Sequence, residues 1–158
     1  MVWSETIAIL GVKTLYNRIK INEPFQFQIL IELKEKLKDK LEVKFVYIQF
    51  PDNPTSDEEL EIYEIPSDRV GKFKVNFTVK SPNLRTKKSL DMFDMTLLLI
   101  QFRFKANEFT RVGYYVNIEL NGPVEKDSDS NIYFLTKNVQ RNILTHEPRV
   151  TKFFADFN

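Results

Sequence analysis

A chain of 158 residues with 42% hydrophobic and 13% aromatic content is sized for one domain with a sizeable core and little disorder. It holds no Cys and a single His, His146, which excludes a disulfide framework, a thiolate metal site, a zinc site of ordinary ligand spacing and a His-centred triad with a partner thiol. The formal net charge is only +1, and no apolar run approaches the roughly 20 residues that a membrane helix needs. Fourteen Phe and six Tyr beside one Trp, with β-branched residues throughout, favour strands.

In chain order, Thr6 to Val12 reads as a first strand ended near Gly11, and Asn22 to Pro24 turns the chain into the next. There Phe25, Phe27, Ile29, Ile31 and Leu33 alternate with Gln26, Gln28 and Glu32, as a half-buried antiparallel strand requires. Lys34 to Lys40, KEKLKDK, fits a charged loop or one helical turn, since Leu33, Leu37 and Leu41 recur at i, i+4, i+8. In Leu41 to Phe50, Leu41, Val43, Phe45 and Tyr47 share a face. The other face starts polar at Glu42 and Lys44 and turns apolar at Val46, Ile48 and Phe50. Glu59 to Ile65 and Lys72 to Lys80 are further strands, and Ser81 to Leu90 is a basic connection.

Asp91 to Phe104 is apolar on both faces in its first half. Thr96, Leu98, Ile100, Phe102 and Phe104 lie on one side, and Met95, Leu97 and Leu99 on the other. Such a strand is either buried on both sides or, in a two-sheet sandwich, carries a partner site on its outer face. Lys105 to Asn107 makes a tight connection. In the strand Glu108 to Glu119, Thr110, Val112, Tyr114, Val116 and Ile118 form the core-like face, with Arg111, Gly113, Tyr115, Asn117 and Glu119 opposite. Leu120 to Asp129 reads as loop, Asn131 to Leu144 admits a short helix, and Pro148 to Phe157 is a last extended segment. About nine extended segments with short turns and no crossover helices indicate a single-domain antiparallel β sandwich over 1–158.

Charge is segregated. Phe45 to Asp68 contains Asp52, Asp57, Glu58, Glu59, Glu61, Glu64 and Asp68 with no cation, and Arg69 to Leu90 contains seven cations with no acid. Surface solvation accounts for most such clusters, and an acidic rim that steers a basic partner is the sharper reading. The four Gly, at 11, 71, 113 and 122, are too scattered for a phosphate loop, no carboxylates pair recognisably, and the basic stretch lacks interleaved exposed aromatics. The expectation is a non-enzymatic monomer with no cofactor or metal and no direct contact with nucleic acid or membrane.

The runs PFQFQI at Pro24 to Ile29, EFTRVGYYVNIE at Glu108 to Glu119, QRNIL at Gln140 to Leu144 and PRVTKF at Pro148 to Phe153 closely resemble the anti-silencing function family of histone chaperones. The likeness spans essentially the whole chain, and is weaker before Ile21, in Phe50 to Val70 and in Leu120 to Asn138. It implies an elongated immunoglobulin-like sandwich with a few short helices in the connections, acting in the nucleus. The concave sheet face would grip the C-terminal helix of histone H3, covering the surface through which two H3–H4 dimers form a tetramer. The matched H3 positions are Ile48, Asp57, Asp91, Met95, Leu97, Arg111 and Tyr115; the H4 C-terminal tail would pair along Leu144 to Thr151, with Leu144, Arg149 and Thr151 as its contacts. Alternation by itself puts Ile48, Met95, Leu97, Arg111 and Tyr115 on faces opposite the core.

The chain departs from the family's pattern in three places. The family's acidic pair, implied to receive the basic hairpin of histone regulator A and chromatin assembly factor, is here Asp39 followed by Lys40. Its usual H3-facing valines are Met95 and Leu97, and its acidic tail is absent from these residues. The competing expectation is a sandwich that binds some other basic peptide through its acidic loop, and a hydrolase stands third.

Overall fold

The computed structural model describes residues 6–50, 57–83, 95–122, 124–126, 132–134, 138–153, 155 and 157. The strands are β1 (Ile7–Leu15), β2 (Arg18–Lys20), β3 (Phe25–Leu33), β4 (Leu41–Ile48), β5 (Asp57–Ile65), β6 (Gly71–Val79), β7 (Met95–Phe104), β8 (Asn107–Leu120), β9 (Val124–Lys126), β10 (Ile132–Phe134) and β11 (Val139–Lys152). All described pairings are antiparallel. β1-β3-β6 form a small sheet, β2-β11-β8-β7-β4-β5 form a large one, and β9 pairs with β10.

The two main sheets close on one apolar core because their strands alternate with period two. β3 supplies Phe25, Phe27, Ile29, Ile31 and Leu33, each at most 1% exposed, and β4 supplies Leu41, Val43, Phe45 and Tyr47 from across the layer. The Phe27 and Phe45 rings stack at 5.2 Å, and Phe45 also meets Phe77 of β6 at 5.7 Å, so one aromatic cluster joins both sheets. Burying each such ring is worth about 1.5–3 kcal/mol. The alternation of β8 is as expected: Thr110, Val112, Tyr114, Val116 and Ile118 are buried.

Several expectations are corrected. Gly11 does not end the first strand; it sits at a register shift between Ile9 and Gly11, and β1 continues to Leu15. Lys34 to Lys40 takes the loop alternative, with Leu37 tucked in at 8% exposure. The described residues contain no α-helix. Where Asn131 to Leu144 admitted one, Ile132–Phe134 is β10 and Val139 onward is β11; likewise β9 lies inside the stretch expected to be loop. The period-two signal in β11 was hidden because its core-facing series is Val139, Arg141, Ile143, with an arginine in the middle. Arg141 is 2% exposed and donates to the carbonyls of Ile21, Glu23 and Pro24, while its guanidinium stacks on Phe25 at 3.8 Å. Burial pushes its pKa down to about 10, which leaves it charged at neutral pH.

Between β7 and β8, Phe104 pairs with Asn107 across a two-residue turn in which Lys105 and Ala106 have φ of 51° and 64°. Two positive φ values match the strand twist that a hairpin of this length requires.

Candidate functional site

The six-stranded sheet turns its inner face to the core, and most of the residues expected to meet histone H3 lie on its strands with the opposite parity. Ile48 of β4 pairs with Asp57 of β5 on one side and with Leu97 of β7 on the other. Leu97 pairs with Tyr115 of β8, and Tyr115 with Leu144 of β11. Asp57, Ile48, Leu97, Tyr115 and Leu144 therefore form one row across five strands, about 19 Å long at 4.8 Å per strand. Leu97 is half-buried and Met95 is 38% exposed, while Thr96 and Leu98 on the other parity are 1% and 0% exposed. The first half of β7 thus carries an apolar outer face.

Beside this row lies a second, in which Val46 of β4 pairs with Glu59, then Leu99, Gly113 and Arg149 follow. A Cβ on Gly113 would sit 3.2 Å from Leu99 Cδ2 and 3.9 Å from Arg149 Cβ, so glycine lets those side chains close over the backbone. A third row runs Lys44, Gln101, Arg111, Thr151. Sequence reasoning did not assign Val46, Leu99 or Gly113 to the site, although Val46 and Leu99 share the parity of Ile48 and Leu97.

Charge is graded across this face. The β5 rim presents the exposed acids Asp57 and Glu59, with Lys44 3.4 Å from Glu59. The opposite rim presents two guanidinium groups on rings: Arg149 over Tyr115 at 5.4 Å and Arg111 over Phe153 at 5.4 Å. Arg111 also grips Glu108 through Nε at 2.8 Å and Nη2 at 2.6 Å, which holds its pKa above the ordinary arginine value. The fork expected to meet a partner's acid is therefore preset by an acid of its own chain. Asp91 lies outside the described residues.

The H4-matched positions lie on β11. Beyond Asn142, where β2 stops, the outer edge of β11 has no strand partner among the described residues, and Arg149, Val150 and Thr151 are exposed. This edge borders a groove of about 740 Å³ lined by β1 from Ile7 to Val12, by Val112 and Tyr114, and by Pro148 and Val150. The sequence signal for its β1 wall was the unbroken apolar run Ile7, Ala8, Ile9, Leu10, of which Leu10 is 45% exposed.

Asp39 and Lys40 are elsewhere. They precede Leu41, about 24 Å along β4 from Ile48 at 3.4 Å per residue. Asp39 forms an ion pair with Lys105 at 3.3 Å, and Lys40 reaches toward Glu42 at 3.9 Å. Among the described residues no group of three or more His, Asp or Glu is placed to hold a metal.

The family described as ASF1 like histone chaperone matches residues 4–158, nearly the whole chain that builds this face and edge. The chain belongs to the ASF1 histone chaperone family. A probable histone chaperone ASF1A of Arabidopsis thaliana is 36% identical over 152 residues, covering 96% of this chain and 77% of that protein. Histone chaperone ASF1B of the same plant is 35% identical over 153 residues, covering 97% and 70%. Histone chaperone ASF1 of Saccharomyces cerevisiae is 32% identical over 147 residues, covering 93% of this chain and 52% of its own length, so the chain spans about half of the yeast relative. The family is one of histone chaperones, a non-enzymatic function.

Proposed function

We propose that this protein is a nuclear histone chaperone that holds one H3–H4 dimer, with the H3 C-terminal helix on the outer face of the large sheet and the H4 tail on the β11 edge. The observation that carries the reading is the row from Asp57 to Leu144: an apolar centre of Ile48, Leu97 and Tyr115 between an acidic rim and an arginine rim. A helix about 10–12 Å across fits within that row of about 19 Å and meets the centre with residues at i, i+3 and i+4. Its lysines and arginines would turn to Asp57 and Glu59, and an acid to Arg111 or Arg149. Desolvated apolar contacts at the centre supply affinity, and the charged rims supply orientation.

The H4 tail adds as a strand because the β11 edge beyond Asn142 has no strand partner among the described residues and the adjoining groove takes an apolar side chain. No energy source enters this scheme; the dimer is handed over in nucleosome assembly and disassembly by competition between affinities. Size-exclusion chromatography of the protein mixed with H3–H4 tests the reading. Co-elution of one chaperone with one dimer is the expected result, and failure to bind at moderate salt overturns it.

A further inference from the structure

The end of the sandwich remote from the row collects cations. The β3–β4 connection carries Lys34, Lys36, Lys38 and Lys40, the β5–β6 connection Arg69 and the β7–β8 turn Lys105, all exposed. The same three connections hold three acids, Glu35, Asp39 and Asp68, so six cations against three acids leave a surplus of three on a chain whose whole formal charge is +1. Backbone contacts tie the connections into one surface. Leu37 N donates to Ser67 O at 2.8 Å, Lys105 N donates to Lys40 O at 3.3 Å, and buried Leu37 anchors the lysine loop. A loop fixed in this way loses little further freedom when it binds.

Of the three acids here, Asp39 is the one that the family resemblance matches to a site for a basic partner, and Lys105 lies 3.3 Å from it. Among the described residues no carboxylate forms an ion pair with Lys36, Lys38 or Arg69. The three connections contain no aromatic residue, so they offer no platform on which bases could stack. Glu35 and Asp39 interrupt the lysine series, which disfavours close tracking by the continuous charge of a duplex.

We propose that this end of the sandwich docks an acidic peptide segment of a partner protein, in place of the basic hairpin that family resemblance implies for the Asp39–Lys40 loop. The surface is about 24 Å from Ile48 along β4, so an acidic segment and a partner on the large sheet can be held together. The proposal does not depend on what that sheet binds.

The test uses the full chain and a fluorescent peptide of about a dozen Asp and Glu residues, followed by anisotropy at low salt, where Debye screening is weak. Native protein is expected to bind, and Lys36→Glu/Lys38→Glu to bind about tenfold more weakly, with an unchanged melting temperature. The neutral variant Lys36→Gln/Lys38→Gln is expected to fall between the two. The elution of the double variant with H3–H4 is expected to match that of native protein, which separates this proposal from the histone reading. Lack of binding by native protein, or equal binding by the charge-reversed variant, overturns it. So does tighter binding of a Lys/Arg-rich hairpin peptide or of a short DNA duplex to the native chain.

Discussion

Leu97 on β7 stands directly opposite Tyr115 on β8, and both side chains leave the large sheet on the side away from the core. That pairing puts the centre of the proposed histone face on a rigid sheet instead of a loop, and it separates stability from binding in a single substitution. Leu97→Arg is expected to cost less than about 1 kcal/mol of stability, as surface changes usually do. The same change is expected to remove histone binding, because a cation in a desolvated centre facing a basic partner loses about 2–4 kcal/mol. A thermal melt and a pull-down on one preparation decide. Collapse of the melting transition would mean that Leu97 supports the core.

Core and face should respond in opposite ways. Phe45 touches Phe27 and Phe77 and is fully buried. Phe45→Ala is therefore expected to destabilise by about 3–5 kcal/mol, with the cavity term included. Urea denaturation measures this, and a loss under about 1 kcal/mol would show that the inter-sheet aromatic cluster does not hold the layers together.

Parity made much of this fold legible. The alternation in β3, β6 and β8 fixed which residues face the core, and the apolar wrong-parity set Ile48, Met95 and Leu97 marked the outer face before any pairing was known. Arg141 hid β11 because its charge at a core position breaks the apolar series; its partners, the carbonyls of Ile21, Glu23 and Pro24, come from a turn well over a hundred residues earlier, which no local pattern displays. Register was likewise invisible. Nothing in sequence spacing aligns Asp57, Ile48, Leu97, Tyr115 and Leu144, since that row follows from four separate strand pairings. The Asp39–Lys105 pair joins two turns for the same kind of reason.

The β7–β8 turn holds Ala106 at φ 64°, where a Cβ is strained. Ala106→Gly relieves that strain but loosens the unfolded chain, so the net gain is expected to be about 0.5 kcal/mol. The melting temperature should rise by about 1–2 °C for a chain of this size. A fall in melting temperature would show that the turn does not carry the strain.

Edge addition on β11 predicts sensitivity of the backbone at a residue whose side chain is dispensable. Val150 is 58% exposed and pairs with Val112 on the inner side of β11. Val150→Pro removes a backbone donor and restricts φ, and is expected to abolish hydrogen-exchange protection of a bound H4-tail peptide. Val150→Thr keeps the backbone and is expected to preserve it. Equal protection with both variants would rule out strand addition here.

The Arg111–Glu108 pair supplies the last prediction. Glu108 accepts from both Nε and Nη2 of Arg111, and Phe153 backs the guanidinium at 5.4 Å, so the fork is fixed before a partner arrives. Freezing an arginine side chain costs up to about 2 kcal/mol of rotamer entropy, part of which this pair removes from the binding step. Glu108→Gln keeps the shape and weakens the hold. It is expected to reduce H3–H4 affinity about three- to tenfold in calorimetry, whereas Arg111→Ala reduces it further. If Glu108 acts only by orienting Arg111, then Glu108→Gln has no added effect in an Arg111→Ala background, and the double-mutant cycle shows coupling equal to the whole single effect. Additive losses would instead show that Glu108 meets the partner directly and that the preset fork contributes nothing to binding.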